Sequence, residues 1–115
     1  MEKIVSKLVA LGVPGLVLLI AVSTSGLAGG AAIIAALAAL GPGGIIGGIV
    51  TLGLIGLVAH GIAEYGVEAI SCSVIKELLK EGETKESILE KISKYPISKS
   101  LKSRLREIVE NHQEN

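Results

Sequence analysis

The sequence of 115 residues contains no aspartate, phenylalanine or tryptophan, and it has only two tyrosines and one cysteine. Without aspartate, no serine in the chain can join a Ser-His-Asp catalytic triad. A single cysteine, Cys72, excludes an internal disulfide. No glycine-rich stretch ends in the Lys-Ser/Thr pair of a phosphate-binding loop. The sequence therefore predicts a protein that is not an enzyme and that binds no cofactor.

Charged residues are absent from position 8 to position 63, a stretch of 56 residues. About 20 apolar helical residues cross the hydrocarbon layer of a bilayer. A small soluble domain, in contrast, has a large surface for its volume, and that surface must be solvated. The uncharged stretch can hold two spans and a third, shorter segment. We therefore expect a membrane-embedded helical region at 1–70, followed by a soluble amphipathic helical tail at 71–115.

Proline and glycine divide the apolar region into helical segments. Pro14 interrupts a first segment at 2–23, because proline removes a helical hydrogen bond. A second segment at 27–40 would be only about 21 Å long as a helix, which is short of a full span. The turn-forming residues 41–44 precede one long predicted helix at 45–81, which Gly82 would cap. The predicted fold is all-α, a glycine- and alanine-rich membrane hairpin or bundle of two to three apolar helices with a small soluble tail.

The tail predicts two short amphipathic helices. Thr84 is a suitable N-cap for the first, and Ser98 or Ser100 is suitable for the second. Tyr95 precedes Pro96, and a residue before proline disfavours the helical conformation, so the first helix should end there. The apolar stripes of the two helices are formed by Ile88, Leu89 and Ile92, and by Leu101, Leu105, Ile108 and Val109. These stripes pack against each other or bind a protein partner.

Charge also constrains the partners and the location. The formal net charge is zero, and from Glu64 onward the chain carries nine basic and ten acidic residues. A nucleic-acid surface needs clustered positive charge, so we expect no nucleic-acid binding. Lys3 and Lys7 precede the apolar region, and Lys76 and Lys80 follow it. Because lysines are enriched on the cytosolic side of membrane helices, the tail and the N-terminus of this integral membrane protein should both be cytosolic.

Five glycines are predicted helix-packing or oligomerisation positions on the long helix. Placed at 100° per residue, Gly44, Gly48 and Gly66 fall near one side, and Gly53 and Gly56 fall near the opposite side. Small residues let membrane helices approach closely, and Gly44-x-x-x-Gly48 has the spacing of a dimerisation motif. The contacts lie either within the chain or between copies in a homo-oligomer.

Three ionisable residues, His60, Glu64 and Glu68, follow one another at intervals of one helical turn. Ionisable groups at membrane depth are costly and usually face a cavity or a partner. These residues therefore form an intramembrane polar site, or the helix simply leaves the membrane at His60. A closed metal site needs about four ligands, and the other histidine and the cysteine are distant in sequence. We expect no bound metal.

Residues 12–63 carry a recognisable order of short motifs. They are Val13-Pro14, Gly26-Leu27-Ala28-Gly29-Gly30-Ala31-Ala32, Gly41-Pro42-Gly43-Gly44 and a glycine-spaced apolar helix from Ile45. In this order the region resembles the small interferon-inducible hydrophobic proteins of animal mitochondrial and endoplasmic reticulum membranes. The resemblance implies a membrane protein linked to membrane integrity or to control of cell death, and it implies no catalytic residues. The charged tail departs from that family.

The function that we expect is a small self-associating membrane protein that alters permeability, as a holin, a toxin or a cell-death effector does. Its partners would be the lipid bilayer and other copies of itself. Two alternatives stay open. The chain is a non-lytic membrane anchor or scaffold whose tail binds a partner, or it is a soluble helical assembly whose apolar helices are buried between subunits.

Overall fold

Six α-helices form the part of the protein that this computed structural model describes, residues 1–25, 48–95 and 97–112. They are α1 (Glu2–Ala10), α2 (Val13–Ser25), α3 (Gly48–Tyr65), α4 (Val67–Lys80), α5 (Lys85–Lys94) and α6 (Lys99–Asn111). No strand occurs within these ranges, so the all-α class is confirmed. The helical segment expected at 27–40 lies outside the described residues, and so does Gly44, one of the five predicted packing glycines.

Helix α2 lies at the centre of the fold and contacts each of the other five helices. Seven consecutive residues, 16–22, are at most 3% exposed. A helix that is apolar on all sides has no face suited to water and is therefore buried. The apolar stripes of α5 and α6 belong to the same core, through Ile88, Ile92, Leu101, Leu105 and Val109. The amphipathic helices thus enclose α2.

The first apolar segment is two helices, because the chain turns between α1 and α2. Gly12 has a φ of +76°, a conformation that glycine adopts without steric cost. Pro14 does not kink a continuous helix. It lies in the first turn of α2, where its missing N–H removes no helical hydrogen bond. Gly15 lies so close to α1 that an added Cβ would be 2.0 Å from the Leu8 carbonyl oxygen.

The prediction of one long helix at 45–81 is wrong. Helices α3 and α4 are separated at Gly66, and the segments on its two sides are bent by 114°. Gly66 has a φ of +87°, which explains the position of the break, since other residues rarely adopt that conformation. The Gly66 N–H still donates to the Ile62 carbonyl oxygen at 2.9 Å, so α3 is capped as it ends.

The local signals of the tail are confirmed. Thr84 Oγ1 accepts from the Ser87 N–H at 3.0 Å, and Ser98 Oγ accepts from the Leu101 N–H at 3.2 Å. Tyr95 is extended and ends α5. Gly82, with a φ of +107°, follows α4, and its N–H donates to the Leu79 carbonyl oxygen at 3.2 Å. This is the glycine cap expected at a helix C-terminus.

The expected division at residue 70 falls inside α4, which begins at Val67 and contacts α1, α2 and α3. Helices α5 and α6, from the expected soluble tail, both contact α2 from the expected membrane region. We call α5 and α6 together the tail pair. In this arrangement the tail pair is part of the fold around α2, and the division into 1–70 and 71–115 remains a prediction about behaviour at a membrane.

Within the described residues, no single helix is both long and apolar enough to cross a bilayer. The bent pair of Gly53–Tyr65 and Val67–Lys80 meets that test of length and composition when the two helices are taken together. Residues Val13–Thr24 of α2 form an apolar helix below that length.

Candidate functional site

Helix α3 turns a stripe of small and polar residues away from the core. Gly53, Gly56, His60 and Glu64 recur every three or four residues and are all exposed. An added Cβ at Gly53 or Gly56 would meet no atom of the described chain within 4 Å. These two glycines therefore make no close contact within the described part of the chain. Their predicted contact with a second copy stays a prediction.

The other three predicted glycines are Gly44, Gly48 and Gly66. Gly44 is outside the described residues, and Gly48 is the first residue of α3. Gly66 occupies the bend between α3 and α4, so its role in the fold is conformational. An added Cβ at Gly66 would meet no atom of the described chain within 4 Å.

Gly61 is a packing glycine of α3 that was not predicted from the sequence. It is buried, and an added Cβ would be 2.3 Å from Cδ1 of Ile4 on α1. The signal was available in the helical spacing. Gly61 lies three residues after Val58 and six after Ile55, both of which are buried, so it belongs to the inward side of α3.

His60 and Glu64 lie side by side on the surface of α3. The distance between His60 Nε2 and Glu64 Oε2 is 3.3 Å, and their side chains are 76% and 52% exposed. Exposed pairs of this kind usually contribute about 0–1 kcal/mol. Glu68 lies in the first turn of α4, beyond the bend, so the three residues do not share one straight helix. No cluster of three possible metal ligands occurs within residues 1–25, 48–95 and 97–112.

Glu83 connects the turn after α4 to the tail pair. Lys91 Nζ donates to Glu83 Oε2 at 2.5 Å, and Ser87 Oγ donates to Glu83 Oε1 at 2.6 Å. These two hydrogen bonds, that of Lys91 first, hold the pKa of Glu83 below its ordinary value. The same Glu83 carboxylate raises the pKa of Lys91. At the other end of the tail pair, Lys85 Nζ donates to the His112 carbonyl oxygen and joins the start of α5 to the end of α6.

The lowered pKa of Glu83 predicts a loss of stability in acid. The stabilising effect is present above the ordinary pKa of 4.5 and is lost as the pH falls through the lowered value. Glu83→Gln should therefore be less stable than the parent near neutral pH, and the difference should shrink as the pH falls to about 3. Urea denaturation at several pH values measures both profiles. Glu86→Gln, at an exposed position of α5, is the control, and parallel profiles for the parent and Glu83→Gln would contradict the prediction.

No family model, curated protein or solved structure matches the chain. The resemblance to the small interferon-inducible membrane proteins therefore rests on the motifs within residues 12–63.

Proposed function

We propose that the chain is a small helical protein that inserts its uncharged helices into lipid bilayers and alters their permeability. The observation that carries the proposal is the uncharged stretch at 8–63, which includes all of α2 and most of α3. We propose that it is an integral membrane protein and that its tail lies on the cytosolic side. The proposal includes no catalytic step. The resemblance to membrane proteins linked to cell-death control is consistent with it.

Insertion would require the tail pair to leave α2. The tail pair carries charged residues throughout, and a charged side chain at the bilayer centre costs about 2.5–3.5 kcal/mol or more. Uncovering α2 in water is also costly, at roughly 1.5–3 kcal/mol for each large apolar side chain. A bilayer offers α2 surroundings as apolar as the core that it leaves. The enclosed arrangement is thus the form suited to water, and lipid would favour the open one.

The outward stripe of α3 supports self-association after insertion. Small residues allow two membrane helices to approach closely, and no described side chain occupies the space beside Gly53 or Gly56. Because no described residue occupies this space, a larger side chain at Gly56 should leave the described helices packed as they are and block the approach of a second copy.

Dye release from liposomes tests the proposal. We expect the full chain to release an entrapped dye and to form crosslinked oligomers in the liposomes. Gly56→Leu should reduce both, whereas Ile62→Leu, a volume-conserving change at a half-buried position of the same helix, should reduce neither. If Gly56→Leu assembles and releases dye like the parent, the glycine stripe has no role in assembly. If the parent stays membrane-bound without release, it is the non-lytic anchor whose tail binds a partner.

The burial of α2 within its own chain favours a second candidate function, a helical assembly in water. Here the outward stripe of α3 would pack against a second copy, and the apolar helices would never contact lipid. Recovery of a discrete oligomer in water, with no binding to liposomes, would identify this function.

A further inference from the structure

A groove of about 510 Å³ runs between α1 and α3 on the outward side of the molecule. The described residues that line it are Lys3, Lys7, Ala10, Gly53, Leu54 and Leu57. The α1 residues recur every three or four positions, so they lie along one face of that helix. The groove thus brings the basic face of α1 beside Gly53, the first residue of the outward stripe of α3.

The charge at the rim of this groove has one sign. Lys3 and Lys7 are exposed, and neither makes a hydrogen bond or an ion pair with any residue in the described ranges. No acidic residue is among the described residues that line the groove. The groove on the other side of α1, against α4, has mixed charge, because Glu2, Glu77 and Glu81 line it together with Lys76. Because the chain as a whole has no net charge, it attracts an anion only through a local group of positive charges. Lys3 and Lys7 form such a group.

The floor of the groove is apolar and incompletely covered. Leu54 and Leu57 are half-buried, and Gly53 contributes no side chain. Lysine places its hydrocarbon stem on apolar surface while its ammonium group stays at the polar boundary. Two lysines above an apolar floor therefore match a layer in which phosphate lies directly above acyl chains.

We infer that this groove is the surface by which the protein docks on bilayers containing anionic phospholipid. Lys3 and Lys7 contact the lipid phosphates, and Leu54 and Leu57 face the acyl boundary. The inference rests on the proposed function. It adds the class of lipid that the protein recognises and the face of the protein that contacts the membrane first. Docking through this groove also brings α3 and its outward stripe to the membrane before α2 is uncovered.

Vesicle co-sedimentation of the full chain tests the inference. The probes are vesicles of phosphatidylcholine alone and vesicles that also contain phosphatidylglycerol. A lysine near an anionic surface strengthens binding by roughly fivefold, so the double variant Lys3→Gln with Lys7→Gln should bind the anionic vesicles about 30-fold more weakly. Its binding to the neutral vesicles should be unchanged. The matched control is Lys99→Gln with Arg106→Gln, which removes two exposed charges from α6 and should retain the anionic preference.

The outcomes separate the inference from the proposed function. If the Lys3/Lys7 variant keeps the full anionic preference, or if the α6 control loses as much binding, the groove is not the docking surface. If the parent binds neutral and anionic vesicles equally, the lipid class is wrong although the proposed function stands. If the parent binds neither vesicle, both are overturned. Circular dichroism of each variant verifies that the helical fold is retained.

Discussion

Replacing Gly15 with alanine should destabilise the fold by about 3 kcal/mol, at the upper end of the usual cost of overpacking. The new Cβ would be 2.0 Å from the carbonyl oxygen and 2.8 Å from the carbonyl carbon of Leu8. Both atoms belong to the backbone of α1, so no side-chain rotation relieves the clash. Helix α1 would have to move away from α2 and uncover part of the core. Urea denaturation of the variant and the parent measures the loss.

Gly56→Ala is the matched control for that substitution. Gly56 is also helical, but an added Cβ there meets no atom of the described chain within 4 Å. Alanine is favoured over glycine in a helix by roughly 0.5–1 kcal/mol, so this variant should be as stable as the parent or slightly more stable. Stability changes of the same sign and size for the two variants would show that α1 does not pack on α2 as described.

Truncating Leu105 to alanine should lower the free energy of unfolding by about 2–5 kcal/mol, as truncations of buried leucine do. Leu105 is fully buried on α6, which contacts α2 and α5. Because the proposed insertion requires the tail pair to leave α2, the same change should make dye release from liposomes faster at equal protein concentration. Lower stability and higher membrane activity are thus expected together.

Ser103→Ala on the same helix is the control for Leu105→Ala. Ser103 is exposed, so both stability and dye release should match those of the parent. If Leu105→Ala loses stability and dye release together, the enclosed fold is itself the active form, and α2 does not have to be uncovered.

The tail could be predicted from the sequence because its signals are local. Thr84 and Ser98 satisfy N–H groups three residues away in sequence, and the Tyr95-Pro96 pair restricts its own backbone. The apolar stripe through Ile88 and Ile92 needs only helical periodicity to place it on one face. None of these signals depends on knowing what the tail contacts. The sequence did not indicate that the tail pair packs on α2.

The break at Gly66 could not be predicted because glycine has two opposite meanings in an apolar helix. It allows close helix contacts, as predicted for Gly53 and Gly56, and it also allows a positive φ that ends a helix. Sequence does not distinguish these uses. In the structure the positive φ of Gly66 ends α3, whereas Gly61, which was not predicted, allows close packing against Ile4.

Composition indicated that α2 avoids water but did not indicate what surrounds it. Lipid tails and the apolar faces of amphipathic helices offer much the same surroundings to Leu and Ile side chains. The seven buried residues at 16–22 are enclosed by the chain's own helices in the structure, although their sequence is equally suited to a bilayer. This double suitability is the physical basis of the proposed insertion.

Retention of the full chain by liposomes through an alkaline carbonate wash tests most directly whether the apolar helices enter a bilayer. Carbonate removes proteins held only by surface contacts and leaves inserted helices in the vesicle pellet. We predict that the protein remains in the pellet, together with dye release from the same vesicles. Quantitative recovery in the supernatant, as a monodisperse protein without detergent, would contradict insertion and favour the helical assembly in water.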